Sequence, residues 1–487
     1  MHHAYAKWQP IIGLEIHIQL KTRTKLFSRS PNRFGDEPNT NIDVINTGQP
    51  GALPVLNREA VEKAVLFGCA IKAKIAPFSR FDRKSYFYPD SPRNFQITQF
   101  DSPIIIGGVI VADVAGETRE FGVHHAHLED DAGMLKHFSG FAGVDYNRAG
   151  VPLLEVVSEP CMFSAKDATA YAMAVKTIAQ YLDISDCNME EGSFRIDTNV
   201  SVRPLGESTF RNKVEVKNMN SFTNMEMAIE SEIARQVHAY QINPREDPKK
   251  IIKSETVRLD LEKKETVPMR FKEAAADYRY FPEPDLPPLI LSQKFIDNIR
   301  QDMPELPHER FKRYVNELKL TEYNASILIN EKELSDYFEE ALRHCKNAAS
   351  LCNWITVEFV GRLKESGIPL YRSEILAKQV ASLVNFIEEK KITGRIAKQV
   401  ADIMVRVQGK DPETIIRENP DFQPIHDTSA IEPFVDQALI ENVQSLKDFK
   451  AGKDKAFNYL VGQVMKLSKG KASPDIVKEL LMQKMQA

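Results

Sequence analysis

Ile12-Gly13-Leu14-Glu15-Ile16-His17-Ile18-Gln19-Leu20 is the stretch that decides how the first half of this 487-residue chain folds. Aliphatic residues alternate from Ile12 onward, so an extended strand buries Ile12, Leu14, Ile16, Ile18 and Leu20 on one side and gathers Glu15, His17 and Gln19 on the other. Neighbours on that polar side stand roughly 6.6 Å apart at their Cα atoms, close enough for two ligand-type side chains to converge on one cation. The same alternation arises wherever an antiparallel sheet wets one face. Taken alone, the strand favours that plainer reading.

The pattern recurs, and the recurrence shifts the balance. Phe194-Arg195-Ile196-Asp197-Thr198-Asn199-Val200-Ser201-Val202-Arg203 places Arg195, Asp197, Asn199, Ser201 and Arg203 on one face, and Lys213, Glu215 and Lys217 alternate with Val214 and Val216. A solvated face often favours long, interchangeable side chains, whereas these are groups suited to fixed hydrogen bonds and phosphate recognition. Several strands then line one concave polar site. Carboxylates for a hard cation occur in His127-Leu128-Glu129-Asp130-Asp131-Ala132-Gly133, which reads equally as an exposed acidic turn, and at Glu155 within Pro152-Leu153-Leu154-Glu155-Val156-Val157-Ser158-Glu159. Glu155 is the more telling of these, because an unpaired carboxylate inside an apolar strand is costly. Magnesium takes oxygen ligands and keeps waters for substrate phosphates to displace, while a histidine ligand also suits manganese or zinc. Aromatic rings interleave with cations in Lys84-Ser85-Tyr86-Phe87-Tyr88-Pro89-Asp90-Ser91-Pro92-Arg93 and in Asp277-Tyr278-Arg279-Tyr280-Phe281. Such rings either stack on a nucleotide or an RNA end, or simply anchor their loops to the core.

Along the chain, strand patterns dominate to about residue 295, where the proline-rich Pro282-Glu283-Pro284-Asp285-Leu286-Pro287-Pro288 marks a boundary loop. Two helices are legible within that domain, one opening at Ser164 with Asp167 and one at Thr223 with Glu226, each followed by an apolar stripe. Residues 296–408 carry helical periodicity, and Gly409-Lys410-Asp411-Pro412 is the next joint. In residues 409–487, Phe457, Leu460, Val461 and Val464 form one apolar face, Gly470 ends a helix, and Ser473-Pro474 starts another. The expected class is α+β, a mixed or antiparallel sheet domain followed by an all-helical domain and a helical tail.

The length exceeds what a single core supports, and a composition of 27% charged and 43% hydrophobic residues is ordinary for a soluble enzyme. No apolar run is long enough to span a bilayer and no secretory signal opens the chain, which points to the cytoplasm. Five cysteines without a CxxC pair argue against a disulfide framework or a thiolate zinc site. Net charge is −4 overall, yet the stretch from Lys447 to Ala487 holds nine lysines against four acids, a local +5 that suits a polyanion and leaves −9 elsewhere. Phosphate loops, dinucleotide fingerprints, HExxH and nucleophile elbows are all missing from the sequence.

Read together, Gly13-Leu14-Glu15-Ile16-His17, Phe81-Asp82-Arg83-Lys84-Ser85-Tyr86-Phe87-Tyr88-Pro89-Asp90, His127-Leu128-Glu129-Asp130-Asp131-Ala132-Gly133, Asn147-Arg148-Ala149-Gly150-Val151-Pro152-Leu153-Leu154-Glu155, Met189-Glu190-Glu191-Gly192-Ser193, Lys217-Asn218-Met219-Asn220-Ser221-Phe222, Asp277-Tyr278-Arg279-Tyr280-Phe281-Pro282-Glu283-Pro284-Asp285 and Leu460-Val461-Gly462-Gln463-Val464-Met465-Lys466 resemble, in order, the blocks of the GatB/GatE family. Its bacterial members are one of the three polypeptides of the tRNA-dependent aspartyl/glutamyl-tRNA amidotransferases, the heterotrimer GatCAB. The resemblance implies a cradle-shaped kinase-like domain over residues 1–295, a helical domain over 296–408, and a tRNA-binding YqeY-like tail over 409–487. It implies ATP as cofactor with Mg2+, or Mn2+, and a carbon–nitrogen ligase reaction with glutamine as amido donor. GatB phosphorylates the side-chain carboxylate of Glu-tRNA(Gln) or Asp-tRNA(Asn), and ammonia then displaces the phosphate. Implied partners are the glutaminase GatA, the small protein GatC and the mischarged tRNA, with neither membrane nor DNA. By position, Glu15, His17 and Glu155 are the implied catalytic residues, and Glu129 and Asp130 complete the metal set. Lys84, Arg195, Asp197, Asn199 and Lys217 are the candidate ATP contacts on the polar faces. The chain departs from the family at Asp130, where glutamate is expected and the ligand is one methylene shorter, at Gln19 and at Asn458. The rival reading is a non-catalytic tRNA-binding adaptor, which metal-dependent ATP turnover sensitive to Glu15 and Glu155 would exclude.

Overall fold

In the computed structural model, which describes residues 6–217, 219–271, 277–422, 425, 427–450 and 454–486, the opening alternation forms the strand it predicts. Asn218 of the quoted blocks lies outside the described residues. Strand β1 (Trp8–Gln19) buries Ile12, Leu14, Ile16 and Ile18 almost completely and leaves Glu15, His17 and Gln19 half-buried on the opposite side. Around it lie β2 (Asp82–Ser85), β3 (Phe95–Thr98), β4 (Glu117–Asp130), β5 (Pro152–Ser158), β6 (Phe194–Pro204), β7 (Val214–Lys217), β8 (Glu255–Asp260), β9 (Glu265–Phe271) and β10 (Phe281–Pro282). They run across the sheet in the order β9-β8-β7-β6-β1-β5-β4-β3-β2-β10, and three further strands beside this path bring the described sheet to 13 strands. All neighbours on the path are antiparallel except β7 and β8, which are parallel. The two strands that sandwich β1 are therefore β5 and β6, distant in sequence, and this pairing is what brings the polar faces together.

Helices α1 (Arg58–Ala70), α2 (Ala165–Tyr181) and α3 (Phe222–Ile242) share one core with the apolar side of β1. Ser164 caps α2 as its spacing predicts, its Oγ accepting from the Asp167 N–H at 3.1 Å. The start of α3 differs from the Thr223 and Glu226 reading. Ser221 is the cap, in extended conformation (φ −155°, ψ 155°), with its Oγ accepting from the Asn224 N–H. Two hydroxyls two positions apart both offer a cap, and backbone conformation selects the earlier one.

The chain divides into two compact units, up to Pro307 and from His308. Helix Gln293–Gln301 belongs to the first, with Ile296 in its core. In the second, every regular element among the described residues is helical, as expected of an α+β chain with a helical C-terminal region. Its buried apolar residues form two clusters, one from Tyr314 to Phe422 and one from Ile431 to Met485. Leu460 and Val464 are fully buried in the latter, and Phe457 and Val461 pack against it.

One core residue yields a direct test. Tyr171 on α2 is fully buried, its ring edge-on to Phe121 at 6.1 Å, and its hydroxyl has no hydrogen-bond partner. A buried unpaired hydroxyl costs about 1–3 kcal/mol, so Tyr171→Phe is expected to leave stability unchanged or raise it by up to roughly that amount. Urea unfolding checks this, and a loss above about 1 kcal/mol would show that the hydroxyl is engaged.

Candidate active site

The register across β6, β1, β5 and β4 lays side chains in rows, because directly opposed residues of antiparallel strands share a face. Arg195, His17, Glu155 and His127 form one such row. Asp197 stands opposite Glu15 in the next, and Gln19, Leu153, Glu129 and Thr98 make a third. The alternation of each strand is local, but the rows exist only because the pairing is in this register.

Where the rows meet, the His17 Nε2 lies 3.2 Å from Glu155 and 3.5 Å from Glu129, and the His127 Nε2 lies 3.6 Å and 3.7 Å from the same two carboxylates. One donor atom each from His17, Glu129 and Glu155 fits within 4.8 Å of the others, the separation a single cation requires. Burial alone would lower the pKa of His17, but the hydrogen-bonded Glu155 carboxylate and the charge of Glu129 outweigh it and push it up to about 9. His127 is raised by the same two carboxylates against its burial. Glu155 is held well below the usual carboxylate range, since His127 and His17 overcome the effect of burial. Two imidazoles thus face two carboxylates around one point, an arrangement able to hold a divalent cation. The donor set of one imidazole and two carboxylates fits Mn2+ or Zn2+ as well as Mg2+.

Glu15 is the next polar residue along β1. It lies beside the triad without joining it, accepting from the Asn199 amide at 2.9 Å. Burial first, then the nearby Glu155, raises its pKa. Asp130 is turned elsewhere: one oxygen takes the Arg93 guanidinium and the other accepts from the Ile97 N–H at 2.9 Å. Lys84 places its ammonium 5.0 Å from the centre of the Tyr278 ring, and the charges of Glu129 and Glu155 raise its pKa against its burial. Arg195 pairs with Asp131 at 2.7 Å and Lys217 with Asp197 at 2.7 Å. These cations, the triad, Glu15, Asp130 and Asp197 line a single cavity of about 560 Å³, and Asn199 opens instead onto its neighbour. Tyr86 and Tyr278 are the aromatic residues of the quoted loops that face this cavity beside Phe95.

Two residues escaped the sequence reading. His127 shares the face of Glu129 by simple alternation and could have been found from it. Asp131 follows the end of β4 and receives Arg195, Gln19 at 3.0 Å and Arg148 at 3.6 Å. No local pattern distinguishes it from an exposed acid.

With that geometry in place, the likeness to known proteins is informative. The sequence profile of the GatB/GatE catalytic domain matches residues 10–297, and that of the GatB domain matches residues 336–485. The chain is 61% identical to the B subunit of the aspartyl/glutamyl-tRNA(Asn/Gln) amidotransferase of Protochlamydia amoebophila, over 99% of this chain and 98% of that one. It is 58% identical to the protein of the same name from Chlamydia abortus, over 99% of each. The chain belongs to the GatB/GatE family. Within this family member, the whole triad lies inside the span matched to the catalytic domain. Among the described residues no helix is long and apolar enough to cross a membrane.

Proposed function

We propose that this chain is the component of a tRNA-dependent amidotransferase that activates the side-chain carboxylate of Glu-tRNA(Gln), Asp-tRNA(Asn) or both. The observation that carries this reading is the convergence of His17, Glu129 and Glu155 on one cavity whose walls also hold Lys84, Arg195 and Lys217. A carboxylate does not accept ammonia until one of its oxygens becomes a leaving group. Its oxygen attacks the terminal phosphorus of ATP, ADP departs, and ammonia then attacks the acyl carbon and expels phosphate to leave the amide. The cations of the wall neutralise the phosphates, and the ion pairs of Arg195 with Asp131 and of Lys217 with Asp197 fix where those two stand. A divalent cation held by His17, Glu129 and Glu155, with Glu15 beside them, would supply Lewis-acid polarisation of the phosphoryl oxygens. Ammonia comes from the glutaminase GatA, the small GatC completes the complex, and the basic tail holds tRNA. The setting is the cytoplasm.

The test is tRNA-dependent ATP hydrolysis by the full-length chain assembled with GatA and GatC. Glu15→Gln keeps the size and removes the charge, and is expected to abolish that hydrolysis while glutaminase activity survives. Wild-type hydrolysis in the variant would sink the assignment and favour an adaptor that only binds tRNA.

Metal affinity should also depend on pH. With a pKa of about 9, His17 carries a proton at neutral pH that a cation must displace. Mn2+ affinity is therefore expected to rise by up to about tenfold per pH unit from pH 7 toward 9. Titrations followed by electron paramagnetic resonance measure it, and a pH-independent affinity would remove His17 from the ligands.

A further inference from the structure

His124, His125 and His127 follow closely along β4, and the first two stand apart from the triad. Where β4 pairs with β5 the register shifts: Val157 lies opposite His125 but Ser158 lies opposite Val123, so His124 is the extra residue of a β-bulge. The bulge turns His124 out of the alternation. Val123 and Ala126, on either side of the pair, are buried in the core, while the Nδ1 atoms of His124 and His125 come within 2.7 Å of each other and the ring centres within 5.0 Å. The other edge of β4 holds this bulge in place, the Gly107 N–H donating to the His124 carbonyl at 3.0 Å and the Val123 N–H to the Gly108 carbonyl at 2.9 Å. Gly107 and Gly108 have φ +68° and +119°, which lets that chain follow the bulge. Among the described residues no carboxylate pairs with either ring, and neither histidine lines the charged cavity.

We propose that the Nδ1 atoms of His124 and His125 form a second metal site, which takes a borderline divalent ion such as Zn2+, Ni2+ or Cu2+. Two imidazole nitrogens bound to one such ion at about 2.0–2.1 Å stand roughly 3 Å apart, so the rings need part by only a few tenths of an ångström. Without an ion, so close a contact requires one Nδ1 to carry a proton and donate it to the other. On binding, the donating ring moves that proton to its Nε2, and both Nδ1 lone pairs face the ion. The donors separate this site from the triad, because they are nitrogens alone: Mg2+ prefers oxygen, whereas imidazole suits zinc, copper and nickel. Water fills the remaining positions, since no third acidic, histidine or cysteine ligand joins the pair among the described residues. His124 is exposed, so an ion reaches the site from solvent. His125 stacks on His127 with ring centres 5.3 Å apart, which seats the pair beside the triad without sharing a ligand with it.

The experiment uses the full-length chain in its complex, with Cu2+ as the probe and electron paramagnetic resonance as the readout. A Glu155→Gln background strips the triad, and the site is read as the difference that His124→Gln makes there. The background is expected to bind Cu2+ with coupling to two nitrogens. His124→Gln should lower that affinity by at least about tenfold and leave coupling to one nitrogen at most, and His125→Gln should do the same. Zn2+ should displace this Cu2+, and excess Mg2+ should not. A two-nitrogen signal that survives His124→Gln overturns the proposal. So does its absence from the background, which would leave the pair a hydrogen bond and nothing more. With Glu155 intact, Mn2+ affinity should not respond to His124→Gln, and a parallel loss would merge the two sites and overturn the separate one. Should His125→Gln fail to fold in thermal unfolding, His124→Gln at its exposed position decides alone.

Discussion

Glu155→Gln is expected to abolish Mn2+ binding in the micromolar range and tRNA-dependent ATP hydrolysis with it. Glu155 is the hub of the site: it lies opposite both His17 and His127 in the sheet, and its carboxylate is within 3.6 Å of each imidazole. Replacing a partner one shell out from a metal typically costs about 10–100-fold in affinity, and removing a charged ligand should cost more. The substitution also strips His17 of the main charge that raises its pKa, so in the metal-free protein that pKa should fall from about 9. Mn2+ titration and nuclear magnetic resonance of the histidines check both parts. Wild-type Mn2+ affinity in the variant would mean that the triad is a structural ion-pair network and not a metal site.

Lys25→Ala is expected to be strongly destabilising, because it undercuts a loop of the cavity from behind. Lys25 is 0% exposed, and its ammonium donates to the Ala149 carbonyl at 2.6 Å and the Tyr146 carbonyl at 3.4 Å, which fixes the loop whose Ala149 and Gly150 face the cavity. Gly150 has φ +85° there, and a Cβ would lie 2.6 Å from the Asn46 amide, so the loop has no slack to move into. Truncation removes the donors and leaves a void, together about 3–5 kcal/mol. Lys25→Met keeps the volume and loses only the donors, roughly 2 kcal/mol. Urea unfolding should rank the two in that order, and equal losses would show that packing counts for nothing here.

The same lysine gives a pH signature. Burial outweighs the pull of Asp43 and Asp130 and lowers its pKa to about 8, against 10.5 in the unfolded chain. Between those values the unfolded state holds more protons than the folded one, so the contribution of Lys25 to stability rises with pH across that window. Wild type should gain on Lys25→Met from pH 8 to 10, and a constant gap between them would contradict the shift.

By itself, the sequence determined which side chains share a strand face, because a period of two needs only the local chain. Glu15 with His17, Arg195 with Asp197 and Asn199, and the capped start of α2 are all of that kind. It also determined the family, through blocks spread over nearly the whole length. Tertiary structure decided what local periodicity cannot encode, namely which strands are neighbours and in what register. Only the pairing of β1 with β5 sets His17 against Glu155, more than a hundred positions away, and only the pairing of β5 with β4 brings in Glu129. Tertiary partners also explain why Asp130, adjacent in sequence to Glu129 and lining the same cavity, stays out of the triad: Arg93 and the Ile97 N–H take its two oxygens. The register also made His127 part of the cluster and gave Asp131 its cations, since burial and charge at a residue depend on partners that arrive from elsewhere in the chain.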